Sequence, residues 1–166
     1  METILAILGV IGIIETVLLV AGFIWAFVLW GRGITPALLR LGNGFAKRKI
    51  AIFANGDNMV SLKNLLLDSK LFKGKNICEI TKVDDIGRTE GVTVYLVFWH
   101  DWADHIDEIL RQKSDQCALV VYAPYDLGKI PDEQMKKLDG KRHTAVTNFR
   151  GRLLNDIVVS MITTSY

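Results

Sequence analysis

Residues 3–30 hold one charge, Glu15, among 28 positions that are otherwise apolar, glycine or threonine. At about 1.5 Å of rise per residue a helix over this stretch is roughly 42 Å long, more than the ~30 Å hydrocarbon core of a bilayer demands. Helices apolar on every face are rare outside membranes, so a membrane anchor is expected here rather than the buried helix of a soluble protein. The stretch opens Met-Glu, not on a basic cluster, and is about twice as long as the apolar part of a signal peptide. It is therefore expected to be retained.

The flanks set an orientation. Glu2 alone precedes the stretch, whereas Arg32, Arg40, Lys47, Arg48 and Lys49 follow it. The positive-inside rule then predicts a single-pass protein of the cell inner membrane, N-terminus outside and C-terminal domain cytoplasmic. Trp25 and Trp30 fit an aromatic belt at the inner interface and equally fit ordinary helix packing. The chain divides into an anchor (1–31), a juxtamembrane neck (32–48) and a cytosolic domain (49–166). The neck holds glycines, a proline and the short amphipathic piece Leu38-Leu39-Arg40-Leu41; it suits the inner leaflet or a plain linker. The net charge of +2 is concentrated by no segment outside this region. Cys78 and Cys117 each lie in an apolar strand-like run, the pattern of core thiols in a reducing compartment, and no metal site is expected.

From residue 49 short β-branched runs alternate with segments of helical period. KIAIFA (49–54), NICEIT (76–81), VTVYLVFW (92–99), CALVVYAP (117–124) and HTAVTNF (143–149) predict five strands. Helices are predicted over 61–72, with Ser61 as N-cap and Leu62, Leu65 and Leu66 on one face, and over 101–112 through Trp102, Ile106, Ile109 and Leu110. Two more are predicted over 131–138, with Pro131 at the first helical position, and over 152–164, where Leu153, Leu154, Ile157, Val158, Met161 and Ile162 form one stripe. Strands apolar on both faces that alternate with helices predict an α/β fold with a mostly parallel, helix-covered sheet. At the second crossover, 82–91, ten residues of polar character leave two options: a helix shrunk to a loop, or a hairpin of the second and third strands.

This rhythm resembles the flavodoxin-like order 2-1-3-4-5, shared by response-regulator receivers and TIR-type domains. In such folds ligands bind beyond the carboxyl ends of the strands. Asn55, Gly56, Asp57 and Asn58 precede a helix start, where free N–H groups suit an anion, though the same residues are ordinary turn formers. Arg150 and Arg152 flank Gly151 at the last helix and are candidates to clamp a phosphate. His100 and Asp101 lie beside this edge. Asp101, Asp104 and His105 share a helix face, which suits acid–base chemistry, while Asp101 as an N-cap with Asp104 three residues on explains both acids without a ligand.

A phosphoacceptor receiver has paired acids after the first strand, an aspartate after the third and a lysine after the fifth; the nearest residues are Asp57, Asp101 and Arg150. TIR-type NAD hydrolases carry Trp-Cys-x-x-Glu after the third strand, and Trp102-Ala103-Asp104-His105 is similar but is followed by Ile106, with Asp107 and Glu108 next. As a whole the chain resembles the small membrane-tethered effectors of prokaryotic antiviral signalling. That resemblance implies a homo-oligomer sensing a cyclic nucleotide or other nucleotide ligand, with no nucleic acid bound, and acting on the membrane. The alternatives are a tethered NAD or nucleotide hydrolase using Asp101, His105 or Glu108, and a scaffold subunit of a membrane complex.

At helical spacing Glu15 shares a face with Gly12, Thr16, Leu19, Gly22 and Ala26. Small residues let helices approach closely, and a carboxylate facing lipid is costly, so Glu15 is expected at a helix–helix contact or a water-lined path. If the span began at Thr16 it would have 15 residues to Trp30, only about 22 Å, short for an unthinned bilayer. In liposome leakage, Glu15→Gln is expected to insert and largely assemble while altering activity, and Glu15→Leu to weaken both assembly and activity. Wild-type behaviour of Glu15→Leu would sink the assignment.

Overall fold

The computed structural model describes residues 2–33 and 48–164, with the backbone alone for residues 2–8 and 10. The piece Leu38 to Leu41, Arg40 and Lys47, assigned above to the neck, lie outside the described residues. The chain forms two compact units, Met1–Asn43 and Gly44–Tyr166.

The first unit contains helix α1, Glu2–Gly31. Its segment Ile11–Gly31 is long and apolar enough to cross a membrane, and none of it is buried. Every described side chain of α1 is exposed.

The second unit is an α/β domain. In chain order it comprises β1 (Ile50–Phe53), α2 (Gly56–Asp68), β2 (Ile77–Ile80), β3 (Val94–Phe98), α3 (Trp99–Trp102), α4 (Ile106–Gln112), β4 (Ala118–Tyr122), α5 (Asp132–Asp139), β5 (Thr144–Thr147) and α6 (Arg150–Thr163). The strands form one sheet in the order β2-β1-β3-β4-β5. Every pairing is parallel, with Ile50 opposite both Ile77 and Val94, Val94 opposite Ala118 and Leu119 opposite Thr144. The doubly wound order expected from the sequence is therefore the one adopted.

Strand side chains alternate between two cores, as the period of two requires. Ala51, Phe53, Tyr95, Val97, Leu119 and Val121 face Trp102, Ile106, Ile109 and Leu138. Ile50, Ile52, Leu96, Phe98 and Val120 face Leu62, Leu66, Leu153, Ile157 and Met161. Phe53 anchors the first core by edge contact with Trp102, ring centroids 5.3 Å apart. At the sheet's edges β5 and β2 are only part-buried. There the Lys63 ammonium of α2 donates to the Glu79 carboxylate of β2 over 2.7 Å.

Several local expectations are corrected. The first domain helix starts at Gly56, so Ser61 lies within α2 and Asn55 is the N-cap. The Asn55 carbonyl accepts from the Asn58 and Met59 N–H groups, at 3.1 and 3.3 Å, and Gly56 takes φ +48°, the left-handed region glycine tolerates. The stretch over 101–112 is not one helix. α3 begins at Trp99, and a 3-10 turn, Ala103–His105, separates it from α4. The backbone leaves helical geometry at Trp102 (φ −131°, ψ 14°), whose ring sits in the core. The second crossover is a 3-10 turn, Val83–Thr89, pinned by buried Ile86, and β2 and β3 are not neighbours, which removes the hairpin option. Pro131 is the N-cap of α5 rather than its first residue. Ile162 is exposed, unlike the rest of its stripe.

Both cysteines are free thiols, Cys78 half-buried and Cys117 buried. Burial pushes the Cys117 thiol from 9.0 up to about 12, with the nearby Lys113 charge pulling weakly the other way. Between these two values the unfolded chain sheds the proton and the folded chain keeps it. Stability contributed by Cys117 is thus intact below pH ~9 and is lost as pH rises, by about 1.4 kcal/mol per unit. A maleimide at pH 8 is expected to label Cys78 and spare Cys117 until the chain unfolds. Urea unfolding of Cys117→Ala between pH 8 and 11 is expected to lack this part of the wild-type slope.

Candidate functional site

Parallel order puts the carboxyl ends of all five strands, and the turns that follow them, on one edge. The order reverses between β1 and β3, so the β1–α2 turn and α3 flank the crevice in which doubly wound folds place ligands. In this chain Asp101 occupies that position. The Asn55 backbone N–H donates to its Oδ2 at 2.7 Å, and the Asn58 side-chain amide donates to Oδ1 and Oδ2, both at 3.2 Å. With its side-chain NH2 turned to the Ala54 and Thr81 carbonyls, at 3.1 and 3.2 Å, Asn55 also joins the ends of β1 and β2.

The carboxylate thus acts at the α2 start in part as a bound anion does at other helix starts: it answers one backbone N–H, that of Asn55, and the positive end of the dipole. Asp57 adds a second acid in the same first turn. Asp101 is not the cap of its own helix, since α3 begins two residues before it, and Asp104 is exposed. The capping pair expected from the sequence is replaced by a bond across the switch point.

The other candidates diverge. His105 packs its ring edge-on against Trp102, centroids 5.9 Å apart, and Glu108 accepts from the Arg111 guanidinium at 3.1 Å. Asp101, His105 and Glu108 therefore each engage a different partner. His100 is exposed beside the Phe98 ring. The Arg150 Nη2 donates to the Ser61 carbonyl of α2 at 3.1 Å, while Arg152 reaches along α6 to Asp156, 3.7 Å away. The two guanidiniums do not converge as a clamp. Among the described residues no group of three His, Cys, Asp or Glu is set to hold a metal ion.

Tyr125 and Phe149 are not among the residues that the sequence marks in the turns after β4 and β5. Tyr125 and Phe149 meet edge to face there, centroids 5.3 Å apart, and remain 56% and 58% exposed. Tyr125 also lines a cleft of about 210 Å³ with Lys129, Ile130, Asp132, Met135 and Asn148. Large aromatic side chains exposed as a pair are the signal that could have marked this place, but they lie 24 residues apart in sequence.

In the first unit, Glu15, Leu19, Gly22 and Ala26 line one groove along α1 with Leu18 and Phe23. Thr16 Oγ1 donates to the Gly12 carbonyl at 2.8 Å, so its hydroxyl is already satisfied within the helix.

Fold and site together define a doubly wound α/β domain on a chain that also carries one apolar helix of membrane-spanning length. The chain matches no family model, no curated protein and no solved structure.

Removing Asp101 strands the Asn55 N–H and the Asn58 amide. Asp101→Ala is expected to cost about 1–2 kcal/mol in urea unfolding, and Asp101→Asn, which keeps one acceptor, less. Equal stability of Asp101→Ala and wild type would show that the bonds across the switch point contribute nothing.

Proposed function

We propose that this chain is a membrane-anchored, oligomeric effector of the cell inner membrane. Its cytoplasmic α/β domain takes a nucleotide-type signal on the carboxyl edge of the sheet, and α1 answers by opening or disrupting the bilayer. The observation that carries the proposal is the exposed Tyr125–Phe149 pair, which shares its two turns with Lys129 and Asn148 and adjoins Arg150 at the start of α6. Aromatic faces stack any base, at about 1–3 kcal/mol each, while guanidinium and ammonium groups answer phosphate. Phe149, the N-cap of α6, offers no side-chain oxygen to the first N–H groups, which leaves that helix start open to an anion in a way the α2 start is not. The ligand surface in this reading is Tyr125, Lys129, Asn148, Phe149 and Arg150, with Asn55 to Asn58 and Asp101 as its structural support. In α1 the Glu15 groove is the surface through which copies assemble.

The divergent partners of Asp101, His105 and Glu108 give a hydrolase no equivalent support. Calorimetric titration of the full-length protein in detergent with NAD, ATP and cyclic di-GMP, with product analysis, is the test. Binding of one of them without turnover, followed by vesicle leakage, is the expected result. Turnover independent of α1 would point to the tethered hydrolase, and an obligate co-purifying protein with no ligand bound would point to the scaffold. Phe149→Ala and Tyr125→Ala are expected to weaken binding by about 5- to 100-fold. Arg152→Ala, whose guanidinium pairs with Asp156, is expected to change it less than twofold.

A further inference from the structure

The carboxyl edge is only half of the sheet. At the opposite edge the connections 69–76, 90–93, 113–117 and 140–143, with Arg48 and Lys49 entering β1, hold eight lysines and arginines and two acids, Glu90 and Asp115. The carboxyl-edge turns and adjoining helix starts, 54–57, 81–85, 99–101, 123–133 and 148–152, hold four such cations and seven acids. A chain of net charge +2 is therefore folded into a domain with one basic and one acidic end, and the cations come together from four separate places in the sequence.

The parallel strand order places these cations along one edge, and contacts join them locally. Lys49, Lys75 and Arg88 line a single open cleft of about 520 Å³ with Glu79 and Glu90; of these, Glu79 is paired with Lys63 and Arg88 with Asp85. The Lys113 ammonium donates to the Arg142 carbonyl at 2.8 Å, joining the β4 and β5 entries. Among the described residues Lys49, Lys70, Lys73, Lys75, Lys141 and Arg142 form no ion pair, although ion pairs occur elsewhere in the domain. The two non-glycine residues with left-handed backbone among the described residues, Lys70 (φ 57°) and His143 (φ 55°), both lie on this edge. Glycine or asparagine would relieve that strain, and basic side chains stand there instead.

We infer that the amino edge of the sheet is a docking surface for anionic lipid headgroups. The partner follows from charge complementarity and from where the chain enters. Lys49 leads directly into β1 at this edge, and the sequence arriving there comes from an apolar helix able to span a bilayer. Clustered lysines and arginines close to such a span are drawn to an anionic leaflet within a Debye length of about 8–10 Å. The surface extends this attraction from the juxtamembrane segment to the folded domain, and it leaves the carboxyl edge facing solvent, from which a soluble ligand arrives. The inference rests on the anchor reading, not on the identity of the signal.

The test is hydrogen exchange on the full-length protein in nanodiscs of phosphatidylcholine alone or with about 30% phosphatidylserine. Exchange at 70–76, 113–117 and 140–143 is expected to slow about threefold or more in the anionic discs. It is expected to revert in ~0.5 M salt, where screening shortens to a few ångströms, and in the exposed triple variant Lys73→Gln, Lys75→Gln, Lys141→Gln. The carboxyl-edge turns are expected not to change. Equal exchange in both discs, or protection at the carboxyl edge instead, overturns the inference. So does protection by single-stranded RNA in neutral discs that exceeds protection by anionic lipid. Failure to enter neutral discs refutes the anchor reading separately. In that case flotation of the same protein on anionic vesicles decides the matter: salt-sensitive binding upholds the basic edge, and no binding overturns it.

Discussion

Parallel pairing of five short strands is the constraint on which the domain depends. A parallel strand begins at the edge where its neighbours begin, so every connection must return across a face of the sheet before the next strand can start. Helices therefore cover both faces, which requires β3 and β4 to be buried at every position. The same geometry gathers all strand entries on one edge and all exits on the other. What the chain presents at either end is decided by this pairing and by no local property of the turns.

Two ends of opposite character follow. On the carboxyl edge, Asp101 supplies the helix start of α2 with a carboxylate from the chain itself, so the crevice at the order reversal is held together rather than left vacant. Exposed aromatic surface instead lies farther along the sheet, where β4 and β5 end. At the amino edge Lys49, Lys70, Lys73, Lys75, Lys141 and Arg142 form no ion pair among the described residues. An acidic exit edge with an aromatic pair and a basic entry edge suit a domain that meets a soluble ligand on one side and an anionic surface on the other.

Much of the sheet was legible because its evidence is local. Runs such as IAIF, VYLVF and ALVVY are short, β-branched and apolar at consecutive positions between turn formers, the pattern of strands buried on both faces. Leu62, Leu66, Leu153, Ile157 and Met161 kept the helical period and were found facing the core. The differences have causes distant in the chain. Asn-Gly-Asp-Asn has turn chemistry and is in fact the cap and first turn of α2, because a carboxylate 46 residues away answers its N–H. The helix expected over 101–112 breaks where Trp102 must enter the core against Phe53, a demand set by β1 rather than by its own neighbours.

The sequence by itself determined the long apolar helix with Glu15 inside it, the five strands and the helical stripes that pack on them, since each is written in the pattern of adjacent residues. Only the tertiary structure decided which polar groups meet. It bound Asp101 to Asn55 and Asn58, sent Arg150 and Arg152 in different directions, and paired Tyr125 with Phe149. It also sorted a nearly neutral chain into a basic and an acidic edge. Those outcomes depend on strand order and on side chains far apart in the chain, where hydrogen bonds and charges act through space and leave no mark on local pattern.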